Sequence, residues 1–379
     1  MPPELSFVNS GQTIRFHATD AGMQLRDSQK AIGIDGDHIT YVCDLNDAPV
    51  EAETITLADT VLLPGFVNAH CHLDLSHMKD QFSYNGSFSG WIQEVMAQRL
   101  TPDADAMRSA AQALIQSGVT SVNDHVGAWS DLSSITDLPL RYRFFVEVSG
   151  VTPETAATRL QMAQDLAIQL QREGKMATAT PHSSYSLHAA TRDSMIGNAT
   201  TTLSIHYAES AEEKDYFVTG AGKMADFLHD LGAPQGKPTA MPFPKSFLAV
   251  HCNTVTDDDI QRLKTSGATV VHCPRSHRYF NHPPFPLQKL RDAGIPIQIG
   301  TDSLASCPNM DFLEELRAMR EEFPFLTATE ILKMASGNCQ AGGAAFAPGQ
   351  FADIVGLPMQ DDILQGPVTF SMIGGKRVI

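Results

Sequence analysis

Leu63-Pro64-Gly65-Phe66-Val67-Asn68-Ala69-His70-Cys71-His72 is a largely apolar run that ends in two histidines one residue apart. On an extended backbone successive side chains alternate faces, so His70 and His72 share one, about 7 Å apart along the strand. Two neutral imidazole nitrogens so placed can converge on a small cation. Zn²⁺ takes imidazole and carboxylate ligands, and a catalytic site keeps one coordination position open. Alone, the pair reads more readily as two hydrogen-bonded histidines at a barrel rim. Its weight comes from what recurs downstream.

Short apolar, β-branched runs at 61–70, 118–124, 141–148, 176–181, 201–207, 246–252, 268–273 and 296–301 predict eight strands. Amphipathic segments alternate with them. The segment 153–172 opens at Thr152-Pro153-Glu154, and 256–266 opens at Thr256 with three aspartates and closes at Gly267. Thr327 with Glu330 predicts a capping box, Gly342-Gly343 a helix stop, and the four prolines of 233–247 a loop. Repeated strand–helix units favour a parallel sheet with right-handed crossovers, and eight of them predict a (β/α)₈ TIM barrel, an α/β fold with its site at the carboxyl ends of the strands. Polar residues collect at those ends: His70 and His72, Asp124 and His125, Glu147, His182, His206 and Glu209, His251, His272, and Asp302. The terminal segments 1–60 and 348–379 read as β-structure combining into a small composite β-sandwich, with the barrel spanning 61–347.

The 43 acidic and 27 basic side chains give a net charge of −16. This disfavours nucleic acid or an anionic membrane as partner, while leaving room for a local basic pocket. The segment Met1–Leu5 has no secretory pattern, and no apolar run reaches membrane-spanning length. Cysteines at 43, 71, 252, 273, 307 and 339 form no dense framework, which predicts a reduced, cytoplasmic protein. Cys71, Cys252 and Cys273 each follow a strand-end histidine, so their thiols should face away from the site. Asp74 and His77 do not complete an HxHxDH pattern, because Leu75 and Ser76 intervene.

The segments 63–72, His206-Tyr207-Ala208-Glu209-Ser210, Val250-His251-Cys252, His272-Cys273-Pro274-Arg275-Ser276 and Gly300-Thr301-Asp302-Ser303-Leu304-Ala305-Ser306 occur in this order along nearly the whole chain. Together they resemble the amidohydrolase superfamily, in its cytosine/adenosine deaminase-like branch. The resemblance implies metal ligation by His70, His72, His206 and Asp302. It implies one divalent ion, Zn²⁺ or Fe²⁺, because the fourth strand ends Thr180-Pro181-His182 without the lysine of two-metal members, and Lys175 lies at its other end. His182 corresponds to a substrate-contacting histidine, and Trp91 and Ser303 are further candidates for substrate binding. A homodimer follows from family habit.

A divalent ion lowers the pKa of a bound water from about 15.7 towards 7. Attack on an amine-bearing ring carbon then requires a proton on the adjacent ring nitrogen. Glu209 is placed to supply it, His251 to orient the water, and Asp302 to relay a proton to departing ammonia. Glu212 and Glu213 read as favouring the first turn of a helix. The segment Asn85–Ile92 is similar to aminofutalosine deaminases, so the expected substrate is a small purine-like heteroaromatic amine, aminodeoxyfutalosine or a related adenine nucleoside. The alternatives are s-triazine-type chlorohydrolase or aminohydrolase chemistry, deamination of another base such as guanine or 8-oxoguanine, and a non-catalytic metal-binding barrel, which should have lost a ligand or Glu209. Gly90 stands where nucleoside deaminases of the branch often carry a ribose-contacting glutamate. His277, His282 and Cys307 replace an asparagine, a glycine and an asparagine, and are expected at the barrel mouth.

Overall fold

The run predicted as one strand over 61–70 is two strands in two sheets. In the computed structural model, which describes residues 12–19, 25–49, 53–98, 103–336 and 346–379, Glu53–Pro64 belongs to a terminal sheet and Phe66–Cys71 to the barrel. Gly65 joins them. A Cβ there would lie 2.2 Å from Thr120 Oγ1, so only glycine lets the chain cross the next strand so closely. The N-terminal segment Met1–Leu5, Cys339 and the Gly342-Gly343 stop lie outside the described residues.

Eight parallel strands follow in chain order: β1 (Phe66–Cys71), β2 (Val119–Gly127), β3 (Arg141–Val148), β4 (Met176–Pro181), β5 (Ser204–Tyr207), β6 (Leu248–His251), β7 (Thr269–His272) and β8 (Ile297–Ile299). Two seams close them into a barrel. At one, His206 N donates to His182 O at 3.0 Å, and Ser183 bridges to His206. At the other, Thr301 N and Asp302 N both donate to His70 O, at 3.0 and 3.1 Å, and Cys71 bridges to Asp302. Buried Asn68 ties this second seam with its side chain, donating to Thr301 Oγ1 at 2.9 Å and accepting from Thr301 N at 3.1 Å.

The predicted helix signals hold. Pro153–Arg172 starts at Thr152, Asp257–Ser266 is boxed by Thr256 and Asp259, and the helix beginning at Ala328 is boxed by Thr327 and Glu330. Gly267 ends the second of these at φ 70°, the left-handed conformation that favours glycine. These helices pack on the barrel through an apolar layer that includes Cys71 and Cys252, so those thiols face away from the site as expected. Residues 233–247 contain no helix or strand.

Strands from both ends of the chain share one mixed seven-stranded sheet. Its order is Lys376–Arg377, Phe370–Ile373, Ile354–Pro358, Glu53–Pro64, Gln12–Thr19, Leu25–Asp35, His38–Asp44. A separate small core of Ile32, Ile34, Ile39, Leu62, Ile354, Phe370 and Met372 backs it.

The seam carrying the site permits a direct test. A Cβ on Gly300 would meet His70 O at 2.8 Å and His70 Cβ at 2.9 Å. Gly300→Ala must therefore push β8 away from β1, and should destabilise the fold by about 1–3 kcal/mol in urea unfolding. Stability unchanged within about 0.5 kcal/mol would show that the seam tolerates separation.

Candidate active site

Of the polar residues that marked strand ends, His72, Glu147, His182, His206, Glu209, His251 and Asp302 border one space at the carboxyl end of the barrel. His70 and His125 pack against them, whereas Asp124 turns away to accept from Leu73 N at 3.0 Å. His70 is completely buried, and neither of its ring nitrogens has a hydrogen-bond partner. Its Nε2 lies 3.7 Å from Asp302 Oδ1, and His72 Nε2 lies 3.8 Å from the same oxygen. His72 Nε2 and His206 Nε2 face each other at 3.3 Å. His206 Nδ1 donates to the carbonyl of His182 at 2.8 Å, so its Nε2 presents a lone pair to the space. Burial drives His70 down to about 3, with the neighbouring imidazole of His125 adding to the effect, and holds His72 well below the usual histidine range. Neutral imidazoles with lone pairs turned together are poor hydrogen-bond partners and good ligands.

The donor set fits a divalent ion. Ligands about 2.0–2.1 Å from a tetrahedral Zn²⁺ lie about 3.3 Å from one another. The separations of 3.3, 3.7 and 3.8 Å are near that spacing and too long, or wrongly paired, for good hydrogen bonds among themselves. His70, His72 and Asp302 can offer three atoms within 4.8 Å of each other, and so can His70, His206 and His251, and His72, Glu147 and His206. Glu147 and His251 have other partners. Glu147 Oε1 accepts from His125 Nδ1 at 3.1 Å, and His251 Nε2 lies 3.4 Å from Glu209 Oε1.

Asp302 is positioned from both sides. Its Oδ2 accepts from Ser276 Oγ at 2.6 Å and Ser306 Oγ at 3.2 Å, leaving Oδ1 turned to the histidines. Burial alone would raise its pKa, but His70, His251 and His72 hold it well below the usual carboxylate range. Glu209 is the opposite case. Burial, then the negative neighbours Asp302, Glu213 and Glu147, push its pKa well above the carboxylate range, which favours the protonated acid. Burial likewise holds His251 well below the histidine range. Ala208, His251, Cys252 and Asp302 have φ values of 50°, 72°, 54° and 62°, conformations that non-glycine residues adopt at a cost of order 1–3 kcal/mol each. Such backbone is concentrated at the strand ends that carry the polar groups.

A cavity of about 450 Å³ opens onto this cluster and is bordered by His72, His206, Glu209, His251 and Asp302. His182, Trp91 and Ser303 also line it. The His182 ring stacks on His206 at 4.6 Å between centroids, and its Nδ1 lies 3.0 Å from Ser186 Oγ. One wall is aromatic: Trp91 and Phe88 both set their rings edge-on to Phe280, at 4.8 and 5.2 Å.

Three expectations for the barrel mouth need correction, while His272, Asp74 and Lys175 lie outside the site as the sequence reading had them. His277, His282 and Cys307 do not line the cavity. His277 Nε2 donates to Pro283 O at 2.9 Å, His282 sits behind Phe88 and Phe280, and Cys307 lies against Glu315, which also binds Arg275. His272 is a core histidine, stacked on Phe285 at 3.8 Å. Asp74 accepts from Gly127 N and Ser130 Oγ, at 2.9 and 2.7 Å, and so supports a loop. Lys175 donates to Thr136 O at the far end of its strand. Glu212 and Glu213 do sit in the first turn of a helix, but their carboxylates bond to other parts of the chain.

Arg159 was missed by sequence reading. It lines the cavity and donates to Ser149 Oγ at 2.7 Å. A usable signal existed: the helix 153–172 begins just after a strand's carboxyl end, so its early turns border the site. Ser276 and Ser306 were also missed as partners of Asp302, although both lie in the segments that carried the family resemblance.

Among the described residues no helix is long and apolar enough to cross a membrane. Residues 61–378 match the model of the amidohydrolase family. An aminodeoxyfutalosine deaminase from a Nitratiruptor species is 30% identical over 295 residues, covering 73% of this chain and 71% of that protein. The adenosine deaminase of Helicobacter pylori is 26% identical over 309 residues, covering 76% and 75%. The crystal structure of Helicobacter pylori aminofutalosine deaminase in complex with methylthio-coformycin superposes with a TM-score of 0.83 at 22% identity, covering 97% of this chain and 100% of that one. Atrazine chlorohydrolase TrzN from Arthrobacter aurescens TC1, complexed with zinc, superposes at 0.75 with 17% identity, covering 97% and 95%. The sequence match over most of the chain and the barrel it folds into agree: this protein belongs to the amidohydrolase family.

Proposed function

We propose that the chain hydrolytically deaminates a purine-like heteroaromatic amine, with aminodeoxyfutalosine and related adenine nucleosides as the first candidates. One divalent ion, zinc or iron(II), is held by His70, His72, His206 and Asp302. The barrel beginning at Phe66 is the catalytic unit, with the terminal sheet its support. The same reading expects a homodimer acting in the cytoplasm. Such an ion, when bound, supplies an activated water at neutral pH.

The chain's own groups do the rest. Glu209 delivers a proton to the ring nitrogen beside the amine-bearing carbon, which makes that carbon electrophilic. Its buried carboxyl, set within reach of His251 and Asp302 and pushed by burial and neighbouring carboxylates towards the protonated form, is the observation that carries this reading. His251, neutral and 3.4 Å from Glu209, orients the attacking water. Asp302, gripped through Oδ2 by two serines, carries the water's proton towards the departing amine. The wall of Phe88, Trp91 and Phe280 receives the ring, and His182 and Ser303 are placed to contact its polar edge.

Arg159 adds a permanent positive charge to the cavity, suited to an anionic group remote from the reacting ring. Arg159→Gln should raise KM about 10–100-fold for a carboxylate-bearing nucleoside, leave kcat within a few-fold, and not affect adenosine. Equal effects on both substrates would remove Arg159 from substrate recognition.

The function is tested by ammonia release from aminodeoxyfutalosine, methylthioadenosine, S-adenosylhomocysteine, adenosine, guanine and 8-oxoguanine, with chloride release from atrazine measured alongside. Ammonia from an adenine nucleoside supports the reading. Chloride release alone, or no turnover by fully metal-loaded protein, overturns it.

A further inference from the structure

Glu212 and Glu213 follow the catalytic acid by three and four residues, on the helix Ala211–Thr219. Ser210 caps that helix, accepting from Glu213 N at 3.1 Å, so neither carboxylate is needed at the cap. They diverge instead. Glu213, only 2% exposed, turns back under the preceding loop. Its Oε2 accepts from Glu209 N at 2.7 Å and its Oε1 from Ala208 N at 3.1 Å, and Ser184 Oγ donates to the same Oε1 at 2.5 Å. Ala208 is one of the residues in left-handed backbone, at φ 50°. The carboxylate therefore fastens both amides of the bend that aims Glu209 into the cavity.

Glu212 reaches in the other direction, across to the helix Phe88–Gln98. Its Oε1 accepts from Phe88 N at 3.0 Å and Ser87 Oγ at 3.1 Å, and its Oε2 from Ser89 N at 2.9 Å. Those amides are the unpaired donors of a helix N-terminus, satisfied here by a carboxylate from a distant part of the chain. The helix so held carries Phe88 and Trp91, two thirds of the aromatic wall.

We propose that Glu212 and Glu213 are positioning residues that fix the cavity wall and the catalytic acid to one turn of helix, so that the two keep a set spacing across the substrate. This rests on Glu209 being the acid. Each carboxylate holds one side: Glu213 the proton donor, Glu212 the surface against which the ring lies. A free carboxylate accepts from every N–H and O–H aimed at it. A glutamine in its place accepts through one oxygen and turns its NH₂ against a backbone N–H, so one anchor is lost while volume is kept.

The test is a kcat and KM comparison of E212Q, E213Q and the double variant, with metal content and Tm measured on each. E213Q should lower kcat about 10–100-fold with KM within threefold, because the acid is misaimed while the wall stands. E212Q should raise KM about tenfold with kcat within threefold. Metal content should be unchanged in both. Alanine at either position should exaggerate the same split, and a lowered Tm alone would not produce it. If both glutamine variants lower only Tm, or both change kcat and KM in equal proportion, the positioning role is overturned. E209Q separates the two layers. Full activity in E209Q would remove the acid assignment itself, whereas an inactive E209Q beside fully active E212Q and E213Q would overturn only the positioning role.

Discussion

Glu209→Gln is expected to lower kcat by about 10³-fold, within the range that a positioned general acid contributes, while metal content stays at the wild-type level and KM changes less than threefold. The substitution keeps the shape and removes the transferable proton. Glu209 O still accepts from Asn253 Nδ2 at 3.0 Å and Glu209 N still meets Glu213, because both are backbone contacts. The loss would therefore report proton transfer rather than collapse of the loop. Stability should move the other way. The folded pKa of Glu209 lies well above its ordinary 4.5, so ionising it opposes folding increasingly as pH rises from about 4.5 towards the folded value. A glutamine removes that cost, so at pH 8 the variant should be at least as stable as the wild type, and at pH 4 the two should converge. Activity within threefold of wild type would end Glu209's role as the acid.

His206→Ala carries the second large effect. Its Nε2 is the atom that meets His72 Nε2 at 3.3 Å, and His182 O holds the ring in the ligating tautomer. Losing an outer-shell partner of a ligand costs about 10–100-fold in metal affinity, and losing the ligand itself costs at least that. The variant should purify with less than about a tenth of an equivalent of metal, and its turnover should fall below detection. Because metal that binds only the folded chain stabilises it by mass action, a chelator should lower the Tm of the wild type and not that of the variant. Full metal content in His206→Ala would displace His206 from the ligand set. His206→Phe, which keeps an aromatic ring to stack against His182 and removes the ligating nitrogen, separates the lost ligand from the lost ring.

The site was more legible than its surroundings because barrel chemistry is written at strand ends. His70, His72, His206, His251 and Asp302 could be placed by counting apolar runs, since each run sets which residue emerges at the rim. Strand limits were less legible: 296–301 read as a strand, and only Ile297–Ile299 is one, because Gly300 still donates to β7 but Thr301 and Asp302 turn to donate into β1. Arg159 and Glu213 escaped because their partners lie in the loops before their helices rather than within them, and Glu212 because its partners lie on another helix far away in sequence. A carboxylate at a helix start has a local explanation that satisfies every neighbouring residue, and nothing near Glu212 names Ser87 to Ser89. His282 misled in the opposite sense. Its place near the rim suggested the pocket, but Phe88 and Phe280 stand in front of it.

The strand Glu53–Pro64 and β1 are one stretch of chain, and the first half is hydrogen-bonded on one side to Ile354–Pro358. During synthesis that partner leaves the ribosome about 300 residues after Glu53–Pro64. The segment feeding the first barrel strand must wait, one edge open, through most of translation. A nascent chain of this kind offers an unpaired apolar edge to chaperones or to neighbouring chains for as long as elongation lasts. Slowing translation of the last segment should therefore depress the yield of active protein more than slowing translation of the barrel's middle.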